Sequence, residues 1–191
     1  MLRETSTMKA HQGSVLAVTF NSDGNYCLSA GDDRRILLWN PRRENPEPLK
    51  AYTGHSNRIL GLAITSGNAA FASCGGDRQI HVWAVTSGRV LRRLAGHEQR
   101  INAVAFNGDS SVLVSASYDC SVRCWDCRSR ANAPIQAMDD ATDSVSAIAI
   151  GEHTVYAAST DGVTRCHDRR AGSPVRDTVA SPLTTIRPPR H

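Results

Sequence analysis

The chain has 191 residues, of which 40% are apolar, and its 22 basic and 18 acidic side chains leave a formal net charge of only +4. This length fits one domain with a packed core, and such a mild charge excess does not by itself indicate a nucleic-acid-binding protein. No apolar run approaches the roughly 20 residues of a membrane-spanning helix, and the first residues lack a secretory signal, so we expect an intracellular protein.

The first segment of the chain shows the alternation of short strands and turns that is typical of an antiparallel sheet. Leu16 to Phe20 is predicted as a strand, and an Asn/Asp/Gly-containing turn leads to a second strand, Tyr26 to Ala30. A tight turn at residues 32–34 precedes the third strand, Ile36 to Trp39, and Pro48 to Tyr52 gives the fourth. These four short strands predict one four-stranded sheet in about 40 residues.

Four residue types then recur at constant offsets in three consecutive segments. In each segment His precedes Asp by 22 positions, Ser precedes Asp by 4, and Trp follows Asp by 6. Buried Asp and His side chains are costly unless their hydrogen bonds are satisfied, so we predict that each set forms a closed chain of hydrogen bonds, a tetrad, that fixes loops at one end of its sheet. The twelve tetrad residues are His11, Ser29, Asp33 and Trp39; His55, Ser73, Asp77 and Trp83; and His97, Ser115, Asp119 and Trp125.

A fourth copy of the repeat is weaker. Asp161 stands at the Asp position, and His167 follows six residues later in place of Trp. Ala157 replaces the Ser, and Ala141 stands where the His is expected. The fourth repeat is therefore predicted to form a similar sheet without a complete tetrad.

The combination of Ser, His and Asp also occurs in hydrolases, where it forms a catalytic triad. One active site needs one such set, whereas three equivalent sets recur here at the same spacing. We therefore interpret the three sets as structural. The sequence predicts no catalytic residue, and it contains no phosphate-binding glycine loop or other cofactor motif.

The pairs that begin and end the repeats indicate a family. Gly54-His55 and Gly96-His97 open two of the repeats, and Trp125-Asp126 ends the third. With these pairs the chain resembles the WD-repeat family, although Trp39-Asn40 and Trp83-Ala84 depart from the Trp-Asp pair. The resemblance implies an all-β fold class, a β-propeller whose blades are four-stranded antiparallel sheets.

This length accommodates about four blades and the start of a fifth, so we predict a single partial propeller over residues 1–191. The predicted blades cover 11–52, 55–94, 97–138 and 141–179, and residues 180–191 are the start of the next strand and a basic, Pro-rich tail. The resemblance implies a closed propeller of about seven blades. Four blades would leave a blade edge open, so the chain is C-terminally truncated, closes as a four-bladed ring, or needs a partner chain to cover that edge, and of these we expect truncation.

Three segments carry a resemblance to a narrower group. Residues 20–28, 73–77 and 123–130 are similar to WD-repeat scaffolds that organise mitogen-activated protein kinase pathways and associate with the spliceosome. The resemblance implies a non-enzymatic scaffold in the cytoplasm and nucleus, with kinase-pathway or spliceosomal proteins as partners. Since aromatic residues are few and no basic run is interleaved with them, direct nucleic-acid binding is not expected.

The loops at the Asp-turn end of the blades are the predicted partner-binding face, because binding residues concentrate on loops that a rigid scaffold positions. Arginine and tyrosine are enriched among the residues that dominate binding energy. The candidates on these loops are Arg34, Arg58, Arg78, Arg100 and Tyr118.

A second function is implied by a short motif. Residues 125–128 match a Trp-Asp-x-Arg pattern that, in other WD-repeat proteins, docks onto the adaptor of a cullin-RING ubiquitin ligase, and residues 167–170 echo it. The alternative is therefore a substrate receptor for such a ligase. In that case Arg128 and Arg170 would pair with carboxylates of the adaptor.

The six cysteines raise the possibility of a metal site. Cys124 and Cys127 form a CxxC pair, but no second pair lies at the spacing of a structural zinc site. In a reducing compartment cysteines serve mainly as small buried side chains, so we predict no metal site.

Overall fold

The computed structural model describes residues 7–43, 46–168 and 177–179, and these residues form four antiparallel sheets of four strands each, here called blades 1 to 4. Blade 1 consists of β1 (Val15–Phe20), β2 (Cys27–Gly31), β3 (Arg35–Trp39) and β4 (Lys50–Thr53). Blade 2 consists of β5 (Ile59–Ile64), β6 (Ala70–Gly75), β7 (Gln79–Ala84) and β8 (Val90–Ala95). Blade 3 consists of β9 (Ile101–Phe106), β10 (Val112–Ser117), β11 (Val122–Asp126) and β12 (Gln136–Met138). Blade 4 consists of β13 (Val145–Ile150), β14 (Thr154–Ser159), β15 (Thr164–Asp168) and β16 (Asp177–Val179).

Within each blade the strands pair in chain order, each antiparallel to the next. The second strands of blades 1 to 3 are buried on both faces, as in β6, where the adjacent residues Ala72 and Ser73 point to opposite faces and are both fully buried. A strand buried on both faces requires a neighbouring layer on each side. This burial confirms the predicted all-β propeller architecture, in which blades cover one another.

The fourth strand of blade 1 starts later than the sequence predicts. It begins at Lys50 rather than Pro48. Proline has no N–H to donate to a sheet ladder. Leu49 is the first residue of this segment whose N–H reaches the neighbouring strand, donating to the Leu38 carbonyl at 2.8 Å.

The first strand of every blade carries a β-bulge near its start. In blades 1 and 2 the register shifts between Val15 and Ala17 and between Ile59 and Gly61, and the same shift occurs in blades 3 and 4. A bulge adds one residue to a strand and increases its local twist. The bulge lies where the chain leaves the loop that carries the tetrad His and enters the blade.

Neighbouring blades pack through their first strands and the apolar side chains beside them. Between blades 1 and 2, the Tyr52 ring lies edge-on to Phe71 with centroids 4.9 Å apart, and its hydroxyl donates to the Val85 carbonyl at 2.9 Å. Equivalent apolar clusters join blade 2 to blade 3 and blade 3 to blade 4. Each blade is therefore stabilised chiefly by apolar surface buried against its neighbours.

Basic side chains on the outer strands add links between blades. Lys50 and Arg92 occupy equivalent positions, since they pair with Leu38 and Val82. Lys50 donates to the Thr86 carbonyl of blade 2, and Arg92 donates to the Asp126 carbonyl of blade 3 at 2.7 Å. The alkyl parts of such side chains cover apolar surface while their charged ends reach backbone acceptors.

One face of β1 remains uncovered among the described residues. Val18 is 61% exposed and Phe20 is 57% exposed. Their equivalents in blade 2, Leu62 and Ile64, pack against blade 1. The four blades thus form an incomplete propeller with an apolar face of blade 1 open.

The predicted start of a fifth blade at residues 180–191 lies outside the described residues. Across the part of the chain that the structure describes, no helix has the length and apolar character needed to cross a membrane.

Candidate functional site

Blade 2 shows how the four repeated side chains are joined. The His55 Nδ1–H donates to Asp77 Oδ2 at 2.7 Å, and His55 Nε2 accepts from the Ser73 hydroxyl at 2.6 Å. The same hydroxyl oxygen accepts the Trp83 indole N–H at 2.8 Å. The carboxylate fixes which ring nitrogen carries the proton, and every polar atom along the chain of bonds has a partner.

The same arrangement occurs in blades 1 and 3. The His–Asp, His–Ser and Trp–Ser distances are 2.8, 2.7 and 2.7 Å in blade 1, and 2.8, 2.7 and 2.9 Å in blade 3. The structure therefore brings together all twelve tetrad residues in three equivalent sets. Each tetrad ties the loop before the first strand to the second and third strands of the same blade.

Each tetrad carboxylate also holds the backbone of two loops, as Asp119 does in blade 3. It accepts the Glu98 N–H at 2.9 Å and the Ser121 N–H at 3.1 Å, and it also accepts the Ser121 hydroxyl at 2.6 Å. Burial alone would raise the pKa of Asp119, but the hydrogen bonds from Ser121, Glu98 and His97 outweigh it and lower the pKa to about 2. The same balance lowers the pKa of the equivalent carboxyls in blades 1 and 2.

Although the order Asp–His–Ser matches that of a hydrolase triad, the tetrad serine is not placed to act as a nucleophile. Ser73 and Ser115 are fully buried, and each hydroxyl oxygen accepts an indole N–H. A nucleophile must reach a substrate carbonyl beside an oxyanion-stabilising group. The geometry instead fits a structural clamp that occurs once in each complete repeat.

We expect His11→Ala, His55→Ala and His97→Ala each to lower the free energy of unfolding by about 1–3 kcal/mol, because each change removes one hydrogen bond from a buried carboxylate and one from a buried hydroxyl. Urea unfolding followed by tryptophan fluorescence measures the loss. His153→Ala is the matched control, since its side chain is 43% exposed and belongs to no tetrad, and it is expected to change stability by less than about 0.5 kcal/mol. A loss confined to one of the three tetrad variants would contradict the equivalence of the three sets.

Blade 2 contains a further buried histidine that the repeat pattern did not reveal. His81 is 2% exposed, and its ring stacks on His55 with centroids 4.1 Å apart and planes 18° apart. Its Nδ1 atom has no hydrogen-bond partner. Burial lowers the pKa of His81 to about 4, so the ring is neutral at pH 7. One signal was available in the sequence, because the fourth residue after each turn Asp is Leu in blade 1 but His in blade 2.

His55, Asp77 and His81 together offer ligand atoms within 4.8 Å of one another, which is a group of metal-binding types. Both ring nitrogens of His55 are already used in hydrogen bonds to Asp77 and Ser73. In addition, nearly parallel stacked rings direct their in-plane lone pairs side by side, whereas ligands must converge on an ion. The arrangement therefore fits a tetrad better than a metal centre.

Blade 4 replaces the tetrad with a different set of contacts. Asp161 accepts the Thr142 N–H at 3.1 Å, as its counterparts accept the equivalent N–H, and it forms an ion pair with Arg165 at 2.8 Å. Arg165 thus supplies the partner that Ala141 cannot provide. The ring of His167, at the Trp position, is buried, and its Nδ1 has no partner. The repeat pattern did not reveal Arg165, because this residue does not lie at the His, Ser, Asp or Trp position of the repeat.

The predicted partner-binding residues lie on exposed loops at the tetrad end of the blades. Arg34 and Arg78 follow the turn Asp and have φ angles of 62° and 64°, in the left-handed region. Arg78 donates to the Glu98 carbonyl of blade 3 at 3.4 Å. The Arg100 guanidinium lies 4.3 Å from the centroid of the Tyr118 ring. Arg58 is exposed beside these loops, and its carbonyl accepts the Gly76 N–H at 2.9 Å.

Arg128 of the ligase-docking motif lies at the opposite end of the blades. Arg128 forms an ion pair with Asp109 at 3.0 Å, and both side chains are exposed. Arg170 lies outside the described residues. Of the CxxC pair, Cys124 is buried in β11 and Cys127 follows that strand half-buried, where burial raises the pKa of its thiol.

A family model described as WD domain, G-beta repeat matches residues 2–40, 46–84 and 88–126. Each matched segment ends one residue after a tetrad Trp, and the second and third segments begin before the last strand of the preceding blade. The second match, for example, contains β4 of blade 1 followed by β5, β6 and β7 of blade 2. One repeat therefore spans two blades, which joins neighbouring blades covalently.

Several proteins are similar to this chain over most of its length. WD repeat domain-containing protein 83 of Homo sapiens is 43% identical over 182 residues, which cover 95% of this chain and 57% of that protein. The same-named protein of Rattus norvegicus is 42% identical over 182 residues, again 95% of this chain and 57% of that protein. The WD repeat domain-containing protein 83 homolog of Dictyostelium discoideum is 37% identical over 146 residues, which cover 76% of this chain and 44% of that protein. The chain spans about half the length of these curated relatives. With three matched repeats and three tetrads of the same geometry, this chain belongs to the WD-repeat family.

Proposed function

We propose that this chain is a non-enzymatic scaffold that presents the loops at the tetrad end of its blades to several protein partners. The observation that carries the proposal is that these loops contain both buried structural side chains and exposed side chains of the types that bind proteins. Tetrad side chains are buried and fully bonded, whereas arginine and tyrosine side chains on the same loops are exposed. A rigid framework with exposed Arg and Tyr is typical of protein-binding surfaces.

The proposed partners are components of mitogen-activated protein kinase pathways and of the spliceosome, met in the cytoplasm and the nucleus. The resemblance of residues 20–28, 73–77 and 123–130 to scaffolds of that kind supports this part of the proposal. Because propellers serve many functions, the fold alone does not select a pathway.

The substrate-receptor alternative is not favoured. Of its two arginines, Arg128 forms an exposed ion pair with Asp109 within the chain, and Arg170 lies outside the described residues. The resemblance to kinase-pathway and spliceosomal scaffolds gives the scaffold function independent support.

Charge reversal at the tetrad end tests the scaffold function. We expect an Arg58→Glu, Arg100→Glu double variant to capture about tenfold less of its protein partners from cell extracts, with kinase-pathway and spliceosomal proteins quantified by mass spectrometry. Both side chains are exposed, so the stability of the chain is expected to change by less than about 0.5 kcal/mol.

The matched control is an Arg42→Glu, Arg89→Glu double variant, which makes the same charge change on exposed loops at the opposite end of blades 1 and 2. It is expected to retain the partners. Equal capture by the parent chain and the first variant would refute the assignment of the binding face. Recovery of neither class of partner by the parent chain would refute the proposed pathways.

A further inference from the structure

We propose that the tetrad-end loops of blades 2 and 3 bind an acidic, carboxylate-rich segment of a partner protein through Arg58, Arg78 and Arg100. This inference deepens the proposed scaffold function and rests on it. It adds the chemical class of the bound segment and confines the contact to two of the blades.

The first observation is the absence of internal charge compensation. Arg58, Arg78 and Arg100 are all exposed, and none of them forms an ion pair with any described carboxylate. Arg128 and Arg165, elsewhere in the chain, do form such pairs. Within the part of the chain that the structure describes, these loops therefore present three positive charges that no carboxylate pairs with, and carboxylates are the partners that guanidinium groups prefer.

The second observation is that two of these side chains are held in place without losing their charge. Arg78 donates to the Glu98 carbonyl across the boundary between blades 2 and 3. The Arg100 guanidinium carbon lies 4.3 Å from the centroid of the Tyr118 ring, a cation–π contact that does not neutralise its charge. Such restraint reduces the side-chain entropy that is lost on binding.

The third observation is that carboxylates flank this basic strip. In blade 1, exposed Asp32 stands immediately before the turn Asp, a position held by Gly76 in blade 2 and Tyr118 in blade 3. In blade 4, exposed Asp143 precedes Ser144, which takes the place of Arg100. On these loops Arg34 offsets Asp32 in blade 1 and Asp143 is the exposed charge of blade 4, whereas blades 2 and 3 together carry three exposed arginines against Glu98. The positive charge is therefore in excess over blades 2 and 3, which favours an acidic segment there.

The spacing favours an extended segment over a single small anion. Arg58 and Arg100 occupy equivalent positions on neighbouring blades, and packed sheets lie about 10 Å apart. Arg78 and Arg100 are each tied to separate loop groups, Glu98 and Tyr118, rather than converging on one point. A run of several carboxylates matches this distribution, with each guanidinium able to bind one of them through two hydrogen bonds.

The test uses a fluorescent peptide of about eight residues with four glutamates, and its counterpart with glutamine at the same positions. Fluorescence anisotropy of the full chain is expected to show binding of the glutamate peptide about tenfold tighter than that of the glutamine peptide, weakening as salt increases. The triple variant Arg58→Glu, Arg78→Glu, Arg100→Glu is expected to lose at least about tenfold in affinity, and the triple Arg→Gln variant is expected to lose affinity without charge reversal.

The control Arg42→Glu, Arg43→Glu, Arg89→Glu makes the same change in net charge at the opposite end and is expected to keep its affinity. Equal binding of both peptides, or an equal loss in this control, would overturn the proposal. An oligouridine of the same charge that binds more tightly than the peptide, and through the same three arginines, would also overturn it. If the arginines are needed for partner capture from extracts but the glutamate peptide does not bind, this inference fails while the scaffold function stands.

Discussion

A Trp83→Ala substitution is expected to lower the free energy of unfolding by about 3–5 kcal/mol, the range found for truncating a buried aromatic side chain. Trp83 is 1% exposed and lies at the boundary of blades 1 and 2, with its ring 5.9 Å from Tyr52 and 6.0 Å from Phe71 between centroids. Its indole N–H also donates to the Ser73 hydroxyl. The substitution therefore removes apolar contacts between two blades and one hydrogen bond of the tetrad.

Two variants separate these contributions. Trp83→Phe retains most of the apolar contact and loses the indole N–H, so a smaller loss of about 1–2 kcal/mol is expected. Tyr118→Ala removes an exposed aromatic side chain and is expected to change stability by less than about 0.5 kcal/mol. Urea unfolding at pH 7.5 measures all three. A loss below about 1 kcal/mol for Trp83→Ala would show that the contact between blades 1 and 2 contributes little to stability.

Stability is expected to fall as pH decreases from about 6.5 to 4 because of His81, at about 1.4 kcal/mol per pH unit. The pKa of His81 is lowered from 6.5 to about 4 in the folded chain. Between these two values the unfolded chain binds a proton at this residue and the folded chain does not. The contribution of the neutral His81 ring to the free energy of unfolding is therefore complete above pH 6.5, and it is lost progressively as pH falls to 4.

The surroundings of His81 explain the direction of this effect. Burial is the main cause of the lowered pKa of His81. Electrostatic interactions with the stacked His55 ring and with Arg93 also oppose protonation of His81. Asp77 favours protonation but does not offset these effects. The tetrad carboxyls have lowered pKa values, so their protonation affects stability only below the window assigned to His81.

Replacement by the residue that blade 1 carries tests this assignment. His81→Leu is expected to remove about 1.4 kcal/mol per pH unit from the slope between pH 6.5 and 4, since Leu37 fills the equivalent buried position. Urea unfolding at pH 7.5, 6.0, 5.0 and 4.5 measures the slope. The remaining slope is assigned to His97 and His167, whose pKa values burial also lowers. An unchanged pH profile in the variant would rule out His81 as its source.

The amino-acid sequence by itself was sufficient for the fold class and for the partners within each tetrad. The constant offsets from His55 to Asp77 and from Ser73 to Trp83 are local in the repeat, because all four residues belong to one blade. In an antiparallel sheet with short turns, such offsets fix which side chains meet. The strands of blade 1 follow the predicted ones closely, apart from the segment at Pro48, whose missing N–H delays β4.

Only the tertiary structure decided the contacts that join one blade to another and those that replace a missing partner. The Lys50 and Arg92 links, the stacking of His81 on His55 and the ion pair of Arg165 involve positions whose residue type differs from repeat to repeat. Arg100 and Tyr118 were each predicted to be exposed on a loop, but their stacking depends on the direction of both side chains. Spacing in a repeat determines the pairings among the repeated residue types, whereas contacts between blades and contacts of non-repeated residues depend on packing and side-chain direction, which spacing does not encode.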